Sequence, residues 1–261
     1  MKRSTRTRVT RGVMYAVLAA FVVLILLAAN PTAIKENFLN GDVAKQAWPD
    51  ILLVAAKNTI IYTFVAFTAG LLGGLALALM KLSPVAGYRW LATAYVEFFR
   101  GLPALIVIIA FAVSIPIAFG WRPPGGTIGA GLIGLSVVAA AYMAETIRAG
   151  IQAVPKGQSE AARSLGMSGF WTTVSVILPQ AFRIIIPPLT NEFVLLIKDT
   201  SLLFVVGMAT NQRELTTFSR DGLVTSGNST PLVIAALFYL IITLPLTRLV
   251  AYMERRTRAA R

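Results

Sequence analysis

The chain has 261 residues, is 56% hydrophobic, and carries 24 Lys and Arg against 11 Asp and Glu, a formal net charge of +13. With no Cys and no His, it lacks disulfides, thiolate or imidazole metal ligands, and Cys-His or Ser-His-Asp catalytic machinery. A mean hydropathy of +0.73 is too high for an ordinary soluble domain and predicts an all-α, polytopic membrane protein.

Residues 1–12 carry Lys2, Arg3, Arg6, Arg8 and Arg11, and an apolar run over 13–29 follows. At about 1.5 Å per residue this run makes a minimal membrane span. A cleaved signal peptide is the competing reading. However, the run is long for such a segment and the site after Ala29 is a poor Ala-x-Ala, so a retained first helix is expected. Residues 30–50 are polar and mildly acidic, with Glu36, Asp42 and Asp50, and read as an external segment. The second span covers 51–80, long enough to require tilt. Its Gly70 and Gly74, four apart, either permit close helix packing or are merely tolerated.

A short basic turn at 81–89 leads to a third span over 91–119. There Glu97 and Arg100 stand three apart, as neighbours on a helix, and read as an interfacial ion pair fixing the helix end. Residues 121–126 (WRPPGG) form a tight external turn. The fourth span covers 127–147, and the series Gly125, Gly129, Gly131 and Gly134 suggests close backbone packing.

Residues 152–171 interrupt the apolar pattern with Lys156, Glu160 and Arg163. Each ionised side chain would cost several kcal/mol in lipid, so this is a soluble loop between membrane helices. It has internal order. Residues 157–160 start a helix, and Ala161, Ala162 and Leu165 continue it. Gly166 breaks it as a residue free to take positive φ. A second short helix is expected from about Ser168, ended by Pro179. The fifth span covers 183–208, where Pro187 and Pro188 disrupt the backbone hydrogen-bond ladder near its start. Residues 210–229 are polar and external, 232–250 form the sixth span, and 254–261 form a basic tail.

With both termini and the 152–171 loop placed inside, the external basic residues reduce to Lys35, Lys45, Arg122, Arg213 and Arg220, with Lys57 and Lys198 within spans. That asymmetry is the positive-inside pattern; it explains the net charge without a nucleic-acid partner. The fifth span also holds three ionisable residues, Glu192, Lys198 and Asp199, which are rare at membrane depth and usually face a cavity. Glu192 and Asp199 are seven apart and share a helix face about 10 Å apart, with Lys198 turned about 100° from Asp199. The two carboxylates either line a translocation path, ready to hold an ammonium or guanidinium group, or belong to an internal charge network, for instance Asp199 with Lys57. No Gly-x-x-x-x-Gly-Lys-[Ser/Thr] loop is present, so any ATP would be bound by another chain.

The run Glu160-Ala161-Ala162, Gly166, then Val176-Ile177-Leu178-Pro179 resembles the EAA signature of permease subunits of bacterial ABC importers, with Val176 in place of the usual Ile. The flanks resemble the branch that imports polar amino acids. They are Ala141 to Glu145, Arg148 to Ile151, Gly157-Gln158, Leu178 to Ala181, Lys198 to Leu202, and Tyr95 to Pro103. The match is dense over 142–207, thinner over roughly 50–255, and absent from the first 45 residues.

The resemblance implies a type I importer permease fold of about six transmembrane helices, in a bacterial plasma (inner) membrane with both termini cytoplasmic. Residues 1–50 would be an added basic segment, helix and external stretch. Residues 51–255 would be the transmembrane domain with its coupling loop at 152–171, and 256–261 a basic cytoplasmic tail. The chain would be no enzyme and hold no cofactor. Two ATPase subunits would bind ATP-Mg, a second permease subunit, identical or different, would complete the pore, and an extracytoplasmic solute-binding protein would deliver the amino acid. Glu160, Ala161, Ala162, Arg163 and Gly166 would couple to the ATPase. Glu192, Asp199 and Lys198 would line the substrate path, and basic amino acids such as arginine, lysine and ornithine would suit the carboxylates. In the family the Lys-Asp-Thr-Ser-Leu run recurs, which points Asp199 towards the fold and leaves Glu192 the better specificity candidate. An ion-coupled secondary transporter is the alternative; such proteins usually carry internal repeats, and none is seen here. A non-transporting membrane scaffold fits poorly with buried acids at helical spacing.

Overall fold

The computed structural model describes residues 3–259, and within them every regular element is helical. Helix α1 (Arg3–Ala28) presents apolar side chains such as Val17, Leu18 and Phe21 on its exposed surface. The following polar segment, expected to be external, folds into two short helices, α2 (Pro31–Phe38) and α3 (Gly41–Ala47). The local reason is capping. Asn30 Oδ1 accepts the N–H of Ala33, and Asn40 Oδ1 accepts those of Asp42 and Val43. Both helices are tied to the far end of the chain. Asn228 Nδ2 donates to the Glu36 carbonyl, the Ser229 N–H donates to the Asn37 carbonyl, and the Asn40 N–H donates to Thr230 Oγ1.

A π-helical turn at Ile51–Ala56 opens α4 (Lys57–Leu82), together one long apolar helix. The next span is broken. Helix α5 (Ala86–Gly101) meets α6 (Ala104–Ile109) at a bend of 105°, and α7 (Ile115–Phe119) continues beyond a π-helical turn at 110–114. A continuous span over 91–119 is therefore corrected. The cause is Pro103: its ring disfavours helical backbone at the preceding residue, and Leu102 is extended at φ −101° and ψ 142°.

Helix α8 (Gly126–Gln152) is the most enclosed long helix, with buried side chains along its whole length. It packs closely on α4. A Cβ built on Gly74 would stand 2.8 Å from the Met143 Cβ, and one on Gly70 would stand 2.8 Å from the Ala139 Cβ. The Gly70/Gly74 spacing is thus a packing device, in which small residues let two backbones approach.

After α9 (Lys156–Ser164) and α10 (Gly169–Thr172), a π-helical turn at 173–177 runs straight into α11 (Leu178–Asp199). Pro179 begins this helix rather than ending the one before. It stands directly after the π-helical turn, in backbone that stays helical through 177 and 178, so its missing N–H does not stop the chain there. Pro187 and Pro188 lie inside α11 without breaking it, but the carbonyls of Arg183 and Ile184 lose their α-helical donors. A 3-10 turn at 200–206 follows, then α12 (Leu215–Ser226) and α13 (Thr230–Ala259).

By length and composition, three helical stretches among the described residues suffice to cross a membrane: Ile51–Leu82, Gly126–Gln152 and Thr230–Arg256. The bent α5–α7 pair makes a fourth if it is counted as one span. The apolar part of α1, Thr10–Leu24, is shorter, and α11 is diluted by Arg183, Glu192, Lys198 and Asp199. The main core joins α4, α8, α11 and the α6–α7 segment through Ala66, Ile108, Leu135, Met143 and Leu196, with Leu203 from the turn after α11. A second cluster near the α12 end includes Ile51 and Leu215, and a third near the α9 end includes Ile147 and Ile185.

Candidate functional site

The polar loop between α8 and α11 has a defined shape. Helix α9 ends in a paired C-cap. The Met167 N–H donates to the Ala162 carbonyl at 3.1 Å and the Gly166 N–H donates to the Arg163 carbonyl at 3.0 Å. This Schellman closure needs a left-handed residue, and Gly166 sits at φ +84°. Ser168 then starts α10, its Oγ accepting the Trp171 N–H. Glu160, Ala161 and Arg163 point outward, whereas Ala162 is buried at 5% exposure within the chain's own fold. Of the adjacent alanines, Ala161 alone faces outward. The loop also carries three exposed large apolar side chains: Leu165, read from the sequence only as a helix former, and Phe170 and Trp171, not singled out there, exposed by 85%, 70% and 58%. Apolar side chains in a loop too polar for lipid were the signal available. The two aromatic rings pack edge to face, 5.6 Å between centroids.

Behind the loop, an ionic knot joins the ends of α4 and α8. Glu145 accepts from Lys81 Nζ and, in a fork, from Arg148 Nε at 3.0 Å and Nη2 at 2.7 Å. Arg148 also reaches Gln152. Both Arg148 donors share Oε2 while Lys81 takes Oε1, and charge-assisted, partly enclosed bonds of this kind fix geometry.

The fifth-span acids lie on α11. Glu192 and Asp199 are both half-buried, and Lys198 is exposed. Phe193 packs edge to face against Phe64 and Phe67 of α4, which sets the rotation of α11 and so the direction of Glu192. Glu192 feels the charges of Asp199 and of Arg100 at the end of α5. Arg100 is the group the sequence reading placed elsewhere. Among the described residues it forms no ion pair with Glu97, and its guanidinium lies 5.4 Å from the centroid of the Tyr142 ring on α8. The 105° bend after Gly101 is what brings this α5 terminus against the middle of α8, where Tyr95 also donates to the Val137 carbonyl. Among the described residues, Asp199 makes no ion pair with Lys57, so that route to a purely internal network is absent.

At the opposite end a polar knot went unread in the sequence. The fully buried Glu214 caps α12, accepting from the N–H groups of Thr216 and Thr217, from Thr217 Oγ1, and from Tyr239 on α13. Burial pushes its carboxyl above the usual carboxylate range, against the pull of those hydrogen bonds. Thr59 and Tyr62 bring α4 into the same knot through the Leu215 N–H and the Gln212 carbonyl.

Residues 70–259 match the family of binding-protein-dependent transport system inner membrane components. The chain is similar to the probable glutamine ABC transporter permease protein GlnM of Bacillus subtilis, 39% identical over 199 residues, which span 76% of this chain and 89% of GlnM. It is also similar to the glutamate/aspartate import permease protein GltK of Escherichia coli, 37% identical over 212 residues that span 79% of this chain and 93% of GltK. In structure it resembles a chain of the crystal structure of an amino acid ABC transporter with histidines, with a TM-score of 0.73 and 36% identity, covering 84% of this chain and 98% of that one.

Proposed function

This chain belongs to the family of binding-protein-dependent transport system inner membrane components and is an amino acid ABC transporter permease subunit, and we propose that it carries basic amino acids such as arginine, lysine and ornithine. The observation that carries the proposal is the placing of two half-buried carboxylates, Glu192 and Asp199, two turns apart on α11 with no ion-pair partner among the described residues, while Arg100 from the end of α5 packs over Tyr142 of α8. A basic amino acid brings two cations and one anion. Glu192 and Asp199 would take the α-ammonium and the side-chain cation, and Arg100 the α-carboxylate, each as a charge-assisted hydrogen bond. Lys198, exposed beside Asp199, would stand at the edge of the path.

Permeases of this family work with a separate ATPase and a substrate-binding protein. On our reading the α9–α10 loop faces the cytoplasm, as do both termini, and meets one ATPase of a pair. Glu160 and Arg163 would form ion pairs across that interface. Ala161 would allow close approach, Ala162 would anchor α9 to the fold, and Gly166 would hold the turn. ATP-driven closure of the ATPases would reach α11 through the π-helical turn at 173–177, alternating access between two permease subunits. GlnM and GltK, named for glutamine and for glutamate/aspartate, favour a second reading: a neutral or acidic amino acid, with Lys198 compensating the carboxylates. Competition decides between them. Uptake of labelled arginine by cells expressing the complete transporter should be blocked by lysine and ornithine and spared by glutamate. Preferential block by glutamine or glutamate selects the second reading.

A further inference from the structure

Between the start of α9, the first turns of α11 and the last turns of α13 lies a cavity of about 1020 Å³. Its polar wall is Gln158, Gln180, Arg183 and Arg256, and among the described residues no acidic side chain lines it. Neither arginine has an ion-pair partner among the described residues. Gln180 holds Gln158 in place, donating from Nε2 to its Oε1 at 3.3 Å while also bonding the Val176 carbonyl. The rest of the wall is apolar, with Ile186 and Pro187 on the α11 side. The Arg183 and Ile184 carbonyls, stripped of their α-helical donors by Pro187 and Pro188, belong to residues of this same wall.

We propose that this cavity binds the headgroup of an anionic phospholipid. Two guanidinium groups without acid partners complement a phosphate diester, and Arg forks match phosphate oxygens geometrically. Basic pockets between membrane helices at the headgroup level are where such lipids bind. The apolar part of the wall extends along α11 into exposed side chains, Ile186 at 48% and Phe182 at 59%, which give acyl chains a surface to follow. The volume exceeds what a free phosphate fills and suits a glycerophosphate group with the first methylenes of its chains. The proposal rests on the permease reading only in placing the cavity at the membrane boundary beside the α9–α10 loop.

The test uses the whole permease–ATPase complex in phosphatidylcholine nanodiscs with phosphatidylglycerol as the minority lipid. Native mass spectrometry of the released complex should show phosphatidylglycerol retained in preference to phosphatidylcholine. Arg183→Gln and Arg256→Gln should each weaken retention about fivefold and together roughly thirtyfold, at the usual worth of one basic residue near an anionic surface. Lysine at both positions should keep most of the preference. A photoactivatable phosphatidylglycerol on the unmodified complex should label peptides over 180–187 and 253–256, which requires no variant to fold. Equal retention of the two lipids, full retention by the double variant, or labelling elsewhere would overturn the proposal. So would displacement by inorganic phosphate alone, which would make this a free-anion site, or binding only after the ATPase is removed, which would make it a protein interface. Uptake is not the readout: lost lipid preference with intact uptake rejects the lipid site and leaves the transport reading standing, and the reverse result rejects only the latter.

Discussion

Glu192 is half-buried on α11 and makes no ion pair among the described residues, so removing its charge is the sharpest single-residue probe of substrate recognition. Glu192→Gln keeps the shape and deletes one charge-assisted contact. Losing roughly 1.5–3 kcal/mol of that contact should raise the KM for arginine about tenfold or more, with glutamine uptake changed far less. Equal effects on both substrates, or none, would assign the acid to the fold. At the loop, Gly166 holds φ +84°, where a β-branched side chain is strained by roughly 1–2 kcal/mol. Gly166→Val should leave the protein in the membrane but abolish ATP-driven uptake, and Glu160→Lys should do the same by reversing an exposed charge at the proposed ATPase interface. Normal transport by the Glu160→Lys variant would remove the loop from the coupling path.

The contact between α4 and α8 depends on the absence of side chains at Gly70 and Gly74. Gly74→Val would drive a side chain into the Met143 Cβ and the Ala140 carbonyl, 2.8 and 3.1 Å from an added Cβ. A cost of about 1–3 kcal/mol is expected, read as a lower unfolding temperature of the detergent-solubilised protein. A matching substitution at Gly87, where an added Cβ meets nothing within 4 Å, should be tolerated. The α12 cap makes a second test at this scale. Glu214→Ala removes the acceptor of two backbone N–H groups, of Thr217 Oγ1 and of the Tyr239 hydroxyl, and should cost about 2 kcal/mol. An unchanged unfolding temperature would show that water replaces the carboxylate.

For the molecule as a whole, the distribution of Lys and Arg decides which side each end occupies. A single Cys replacing Gln158 should resist an impermeant thiol reagent in intact cells, and one replacing Ser226 should react. Both positions are exposed on the chain itself, and reaction of both in permeabilised cells would show that the difference in intact cells is sidedness and not occlusion. Labelling at position 158 in intact cells would invert the orientation. Uptake that persists when the ion gradient is collapsed but ATP remains would separate this transporter from an ion-coupled one.

Periodicity and composition alone reveal the all-helical membrane architecture, because the need to satisfy backbone groups in lipid leaves a long apolar run few alternatives to a helix. The α9 helix, its stop at Gly166 and the acids of α11 were equally legible, since capping and helical spacing are local properties. Contacts between distant segments were not. That Arg100 turns from Glu97 to Tyr142 and into the field of Glu192 follows from the 105° bend at Leu102-Pro103, whose direction depends on packing against α8. That Pro179 begins a helix depends on the π-helical turn before it. The Glu214 knot joins residues from α4, α12 and α13 that lie far apart in the chain. Local rules fix what each segment becomes; only tertiary packing decides which side chains meet, because burial couples residues regardless of their separation in sequence.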